Sequence, residues 1–520
     1  MDNALKIKVG QRLVAGFPGY ELNREFIEAV REYKIGNVIL FSRNIKDWGQ
    51  LKKLCMQITE LIKRETGEAP FIMIDQEGGG VTRIADAQMN VPGQMALAGT
   101  GDPQMVRRAA EITAQELRSC GINMNLAPVM DINSNPDNSV IGARSYGEDA
   151  ETVARYGVCA IEGYQKEKIA CCLKHFPGHG DTAVDSHLGL PVVDKSLEEL
   201  AQSELIPFQK GMEAGAPAIM TTHILFPQIE SGKVPATMSR AIISGLLREK
   251  MGYKGMIISD CMEMNAIAQY YGTVHGAVEA VKAGVDLICI SHTVMFAMEA
   301  AQQIYQEVQA GRINIEEFEE SVAGIHAYKE QFCSINGIDS EIEANETAVR
   351  QEIEIAQMRL LTIRPYHQDI VEIPISGSNP LFIGCKDYRT AKVADQSGEV
   401  FTFAEYMKTQ AGCGQAFVTS QNPGKEEIGK ILYEYEENQY TAVIYGLYNG
   451  HIKTGQLELA KAIAAKAADQ MCPMAAVALM DPYDLDEMPE NVVRIAGWEY
   501  SKPQFQQIWK YLNWNGRKEE

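Results

Sequence analysis

Through its first three hundred residues the chain alternates short apolar runs with longer stretches of helical periodicity. The runs fall at 13–17, 35–41, 71–74, 122–130, 169–173, 218–220, 255–258 and 287–290. Between them, segments such as 102–120, 151–166, 197–214 and 274–283 place apolar residues on one helical face. Continuous apolar runs separated by helices read as parallel strands joined by right-handed crossovers. Eight such units in about 300 residues predict an α/β fold with an N-terminal (β/α)8 TIM barrel. A doubly wound open sheet is the alternative that periodicity leaves.

Beyond the eighth run, 315–331 and 342–361 read as amphipathic helices, with Gly337 between them. Strand-like runs resume at 380–384, 416–418, 441–445, 474–480 and 492–495, and a helical pattern covers 456–468. The expected layout is a catalytic barrel over 1–335, a linker helix region over 336–372 and a smaller C-terminal α/β sandwich-type domain over 373–520. No cluster of chemically active residues stands out in that last segment.

Polar residues close the apolar runs of the barrel. Asp75, Asp131, Lys174-His175, His223, Asp260 and Ser291-His292 each sit at or just past a run's end. In a barrel all strand C-termini open on one face, where the βα loops build the active site. These residues are therefore expected to converge on one pocket, although any strand can end in a polar residue.

Bulk properties narrow the ligand. The 520 residues are 46% hydrophobic and 22% charged, as in a globular protein, and the net charge of −21 argues against nucleic acid or an anionic membrane surface. No run approaches the roughly 18 apolar residues of a membrane span. The first residues lack the pattern of a secretory leader, and 11 cysteines show no repeating framework. A cytoplasmic protein with reduced thiols is expected.

The richest segment runs from Lys174-His175-Phe176-Pro177-Gly178-His179-Gly180-Asp181-Thr182 to Asp185-Ser186-His187. His175 and His179 have the spacing of a helical metal pair, but Pro177 and Gly178 between them make a helix implausible. Asp185 and His187, two apart, suit a bent loop that pairs an imidazole with a carboxylate. Such a pair raises the imidazole pKa and equips it to donate and recover a proton near neutrality. An ordinary loop hydrogen bond is the plainer reading. Asp260, within Ser259-Asp260-Cys261-Met262-Glu263-Met264, ends a strand and precedes a helix. It is placed either to attack an anomeric carbon or to cap that helix. Glu263 falls further on and is expected to face away from the barrel mouth. In Asp75-Gln76-Glu77-Gly78-Gly79-Gly80-Val81-Thr82-Arg83 no Gly-Lys-Ser/Thr tail supports a phosphate cradle. Asp75 and Arg83 suit sugar hydroxyls, or else a surface ion pair or capped turn.

These motifs together resemble glycoside hydrolase family 3, within it the bacterial β-N-acetylglucosaminidases. The resemblance rests on Asp75-Gln76-Glu77-Gly78-Gly79, Ala127-Pro128-Val129-Met130-Asp131-Ile132, Gly142-Ala143-Arg144-Ser145, the long Lys174–His187 block, Met220-Thr221-Thr222-His223 and Ser259-Asp260. It covers the whole barrel. It implies Asp260 as nucleophile and His187, oriented by Asp185, as acid/base. Asp75, Arg83, Arg144, Lys174 and His175 would hold the sugar, with Asp131 and Met264 as further contacts. It implies no metal or cofactor and a small N-acetylglucosamine-containing carbohydrate as partner, drawn from peptidoglycan turnover, chitin or a glycan end. Two positions depart from the pattern: Gly80 stands where arginine is common, and Cys261 where alanine is frequent. A phosphorylase using the same residues is the main alternative; a β-glucosidase and a silent sugar-binding barrel fit less well.

Overall fold

The computed structural model describes residues 2–84, 90–182, 190–333, 373, 375, 379–386 and 401–514. Its first eight strands are β1 (Leu13–Ala15), β2 (Asn37–Leu40), β3 (Ile72–Ile74), β4 (Met124–Asn125), β5 (Ala170–Phe176), β6 (Ala218–Thr221), β7 (Met256–Ser259) and β8 (Ile288–Ile290). All pairings are parallel, in the order β7-β6-β5-β4-β3-β2-β1-β8. A parallel bridge from Ile258 to Leu287 closes the ring, so the fold is a barrel and not an open sheet.

Strand residues divide cleanly between two layers because successive side chains point to opposite faces. Leu13, Ala15, Val38, Leu40, Ile72, Ile74, Ile257 and Ile288 pack outward with the helices. Val14, Ile39, Met73, Cys172, Ile258 and Cys289 fill the interior. At the lower end Ile325 and Phe332, on the helix Ile315–Phe332, join that interior cluster and plug the barrel.

One helical prediction needs correction. The segment 197–214 forms two helices, Leu197–Gln202 and Leu205–Glu213, not one. Ser203 leaves helical geometry (φ −142, ψ −86). Pro207 explains the break: in a continuous helix its ring would meet the Ser203 carbonyl and its missing N–H would leave that carbonyl unbonded.

The second domain has β9 (Pro380–Cys385), β10 (Gln415–Thr419), β11 (Ala442–Leu447), β12 (Met474–Ala478) and β13 (Val493–Ala496), all parallel in the order β10-β9-β11-β12-β13. Helix Thr454–Asp469 covers one face through Leu459 and Ile463. Helices Phe403–Ala411 and Lys502–Trp514 cover the other through Phe403, Phe505 and Ile508. The barrel domain's Met95 and Ala96 belong to the first of these clusters, so the domains share apolar contacts. The stretch 336–372, assigned to a linker with a helix at 342–361, lies outside the described residues, and the domain boundaries remain our proposal.

Candidate active site

Strand parity decides what reaches the barrel mouth. Inward positions continue the interior set by steps of two: from Met73 to Asp75, from Cys172 to Lys174, from Ile258 to Asp260, from Cys289 to Ser291 and from Ile39 to Phe41. All of these side chains line one pocket of about 370 Å³ at the strands' C-terminal ends, together with Arg43, Arg83, Arg144, His175, His179, Glu263, Met264 and His292. In β5 the register shifts between Leu173 and Phe176, which lets the consecutive residues Lys174 and His175 both face the pocket.

A chain of alternating charges forms one wall. Lys174 Nζ lies 2.8 Å from Asp75 Oδ1 and 2.6 Å from Glu77 Oε1. Arg144 clasps Glu77 with two hydrogen bonds of 2.8 and 2.9 Å, and Arg83 Nη2 is 3.3 Å from Asp75 Oδ2. Burial alone would raise the Asp75 and Glu77 carboxyls, but Lys174 with Arg83, and Arg144 with Lys174, hold them below the usual carboxylate range. Burial likewise opposes the Lys174 charge, and Asp75 and Glu77 outweigh it. The wall thus presents the Asp75 carboxylate as acceptor and Arg83, Arg144 and Lys174 as cationic donors, with Glu77 fixing Lys174 and Arg144 from behind, the pairing that sugar hydroxyls require.

Asp131 does not line this pocket. Its buried carboxylate stands behind His175, accepting the His175 N–H at 3.1 Å, pairing with His175 Nδ1 at 2.7 Å and accepting the His179 N–H at 2.7 Å. Each of these bonds holds His175 or His179, so Asp131 orients the β5 loop from behind the pocket. Asp131→Asn should raise KM by about 10- to 100-fold, the worth of one charge-assisted hydrogen bond, with little loss of fold. Substrate titration checks this; an unchanged KM would remove Asp131 from the site.

His179 lines the pocket, but burial and the neighbouring His175 lower its pKa to about 4. It is neutral at pH 7 and is a poor proton donor there. Among the described residues no group of three or more His, Cys, Asp or Glu side chains is arranged to hold a metal ion.

Asp260 directly follows β7, where its Oδ1 accepts the Cys261 N–H at 2.7 Å. The helix-cap reading fails, since the next helix, Asn265–Ala268, has Met264 at its N-cap. His223 lies outside the pocket lining and steadies this turn from behind, with Nε2 2.9 Å from the Cys261 carbonyl oxygen and Nδ1 2.9 Å from Thr237 Oγ1. Burial pushes the Cys261 thiol up to about 12, so it is no competing nucleophile. Glu263, expected to face away, lines the pocket instead. The turn before the short helix swings its carboxylate toward β8, where it accepts the N–H groups of His292 at 2.6 Å and Thr293 at 3.2 Å.

Asp185 and His187 fall within 183–189, outside the described residues. Asp75, Arg83, Arg144, Lys174, His175, Asp260 and Met264 are all brought to the pocket. Sequence reading passed over Arg43 and Glu77. Arg43 donates to the Ser291 carbonyl at 2.5 Å, lies 3.1 Å from His292 Nδ1 and stacks 4.3 Å above the Phe41 ring. It lies in the short helical turn Ser42–Asn44 beyond β2, where strand parity no longer applies.

A family model for the glycosyl hydrolase family 3 N-terminal domain matches residues 4–327. Among solved structures, a family 3 β-N-acetylglucosaminidase from Paenibacillus sp. str. FPU-7 is 34% identical with a TM-score of 0.86, over 98% of this chain and 96% of that one. Beta-hexosaminidase A of Pseudoalteromonas piscicida is 33% identical over 365 residues, 65% of this chain and 61% of its own length. A beta-hexosaminidase of Thiobacillus denitrificans is 34% identical over 299 residues, 56% of this chain and 80% of its own. The chain therefore spans less than two thirds of the Pseudoalteromonas protein. Since the family match takes in all eight barrel strands and the pocket at their ends, the chain belongs to glycosyl hydrolase family 3.

Proposed function

We propose that the protein is an exo-acting, retaining β-N-acetylglucosaminidase that removes terminal β-linked N-acetylglucosamine from cell-wall fragments or chitin oligosaccharides. The observation that carries this reading is the convergence of Asp260 and the Asp75–Lys174–Glu77–Arg144 wall on one pocket of about 370 Å³. That volume stands at the small end of ligand sites and suits a single sugar ring better than a chain.

In this reading the Asp260 carboxylate attacks the anomeric carbon and forms a glycosyl ester as the glycosidic bond breaks. His187, paired with Asp185, gives its proton to the departing oxygen. The same imidazole then takes a proton from water as that water attacks the anomeric carbon and frees Asp260. Asp75, Arg83, Arg144, Lys174 and His175 bind the sugar, and Met264 closes one side. Eleven free cysteines in the described structure support a reducing, cytoplasmic setting.

The direct test is turnover of aryl β-N-acetylglucosaminide against aryl β-glucoside, with and without inorganic phosphate. Free N-acetylglucosamine at equal rates in both buffers is expected, with the glucoside turned over at least about 100-fold more slowly, as loss of a recognised polar group implies. Release of N-acetylglucosamine 1-phosphate would instead make phosphate the acceptor. Preference for the glucoside would overturn the substrate assignment.

A further inference from the structure

The β4 loop is a long piece of the barrel mouth with little regular structure. Between β4 and the helix Ala150–Lys166 its only helical element is the short turn Gly142–Arg144. Yet this loop delivers Arg144 to the pocket, where the bidentate bond to Glu77 demands a fixed position. The loop braces itself in part, with Asn138 Oδ1 accepting the Val140 and Ile141 N–H groups and Ser145 Oγ donating to the Asp131 carbonyl oxygen, and further hold on it comes from outside the barrel.

The second domain grips the loop at three separated points. His451 Nε2 donates to the Pro136 carbonyl oxygen at 3.0 Å, and its Nδ1 lies 2.7 Å from the fully buried Asp484 carboxylate. The Tyr483 hydroxyl accepts from Asn133 Nδ2 at 2.8 Å. Asp481, also buried, packs its carboxylate against Gly142, where an added Cβ would lie 2.8 Å from Asp481 Oδ2. Gly142 has a φ of +41, so both space and backbone conformation exclude a side chain there. The next residue but one is Arg144.

The loop passes this constraint onward. Asn138 Nδ2 donates to the carbonyls of His179 at 2.9 Å and Gly180 at 3.0 Å, and Gly180 packs so closely on Ile132 that a Cβ would be 1.6 Å from its carbonyl oxygen. Residues 179–182 lead along the chain into Asp185 and His187.

We propose that the second domain is a positioning element for the active site: through His451, Asp481 and Tyr483 it holds the β4 loop in the shape that seats Arg144 against Glu77. Asp481 is a positioning residue acting through Arg144, with no contact to the reacting atoms. The proposal rests on the glycosidase reading only for its kinetic readout.

The test uses the full chain in a double-mutant cycle of Asp481→Ala and Arg144→Ala, with Asp481→Asn as the conservative control. Asp481→Ala is expected to lower kcat/KM about 10-fold, since small displacements of binding groups are costly. Asp481→Asn, which keeps the shape packed against Gly142, should recover most of that loss. In the Arg144→Ala background the same Asp481→Ala change should cost less than about twofold, the mark of coupled residues. Hydrogen exchange should quicken across 133–148 and leave β12 unchanged. Equal losses in both backgrounds, or unchanged exchange over 133–148, would overturn the proposal. Should Asp481→Ala fail to fold, Tyr483→Phe puts the same two questions to the loop. A wild-type protein without glycosidase activity would sink the functional reading, while the exchange data would still judge the clamp.

Discussion

Asp260→Asn is expected to abolish turnover of an aryl β-N-acetylglucosaminide, lowering kcat by about four orders of magnitude or more, as removal of a nucleophile does elsewhere. The substitution is nearly isosteric, and the carboxamide oxygen can still accept the Cys261 N–H that the carboxylate accepts now. The thermal midpoint should therefore hardly move, which separates lost chemistry from lost fold. Steady-state kinetics and a thermal scan decide together. Activity within tenfold of wild type would dismiss Asp260 as nucleophile. Glu263 would be a weak replacement, because its carboxylate is already engaged by the His292 and Thr293 N–H groups.

Lys174→Met should be the most destabilising single change in the pocket wall. Lys174 is 1% exposed and neutralises both Asp75 and Glu77. Removing the cation takes two charge-assisted bonds out of a buried network and leaves Asp75 to Arg83 and Glu77 to Arg144, a loss of roughly 3 kcal/mol and, for a domain of this size, on the order of 10 °C in the unfolding midpoint. The pH dependence has a definite sign. In the wild type both carboxyls are held low, so the folded state binds fewer protons than the unfolded one, and this stability is present above the usual carboxylate values and lost as pH falls. Without Lys174 the two carboxyls are held less low, by Arg83 and Arg144 alone, so the variant's deficit should be greatest at about pH 7–8 and shrink as pH falls through the carboxylate range. Thermal scans across that range test it; a deficit independent of pH would mean that lost packing, not charge, is the cause.

The barrel was legible in the sequence because each of its strands is buried on both faces and so appears as an uninterrupted apolar run between helices. The same burial made the strand ends conspicuous, and two-residue parity carries Asp75, Lys174 and Asp260 into the mouth. Loop conformation was not legible. Asp131 and His175 both follow apolar runs, and only the folded β5 loop shows one standing behind the other. Glu263 was placed by assuming a helix that starts at Asp260, whereas a turn delays the helix to Asn265. Glu77 looked like part of a glycine-rich turn until Arg144 and Lys174 met it from loops 67 residues away and from β5. The break at Ser203 did have a visible cause in Pro207, and periodicity alone overrode it.

The clamp on the β4 loop is invisible in sequence for a different reason. Its partners are separated by 350 residues in the Asn133–Tyr483 bond and 315 in the Pro136–His451 bond, and no local pattern encodes either.

That separation also fixes an order of events during synthesis. The ribosome delivers all eight barrel strands long before it delivers His451, Asp481 and Tyr483. Domains fold largely as units, N-terminal first, and contacts between distant residues form late. The nascent barrel can therefore close, bury its core and assemble the Lys174 ion pairs while its β4 loop is still unheld. Seating of Arg144 then waits on the arrival of the second domain, which also supplies the apolar neighbours of Met95 and Ala96.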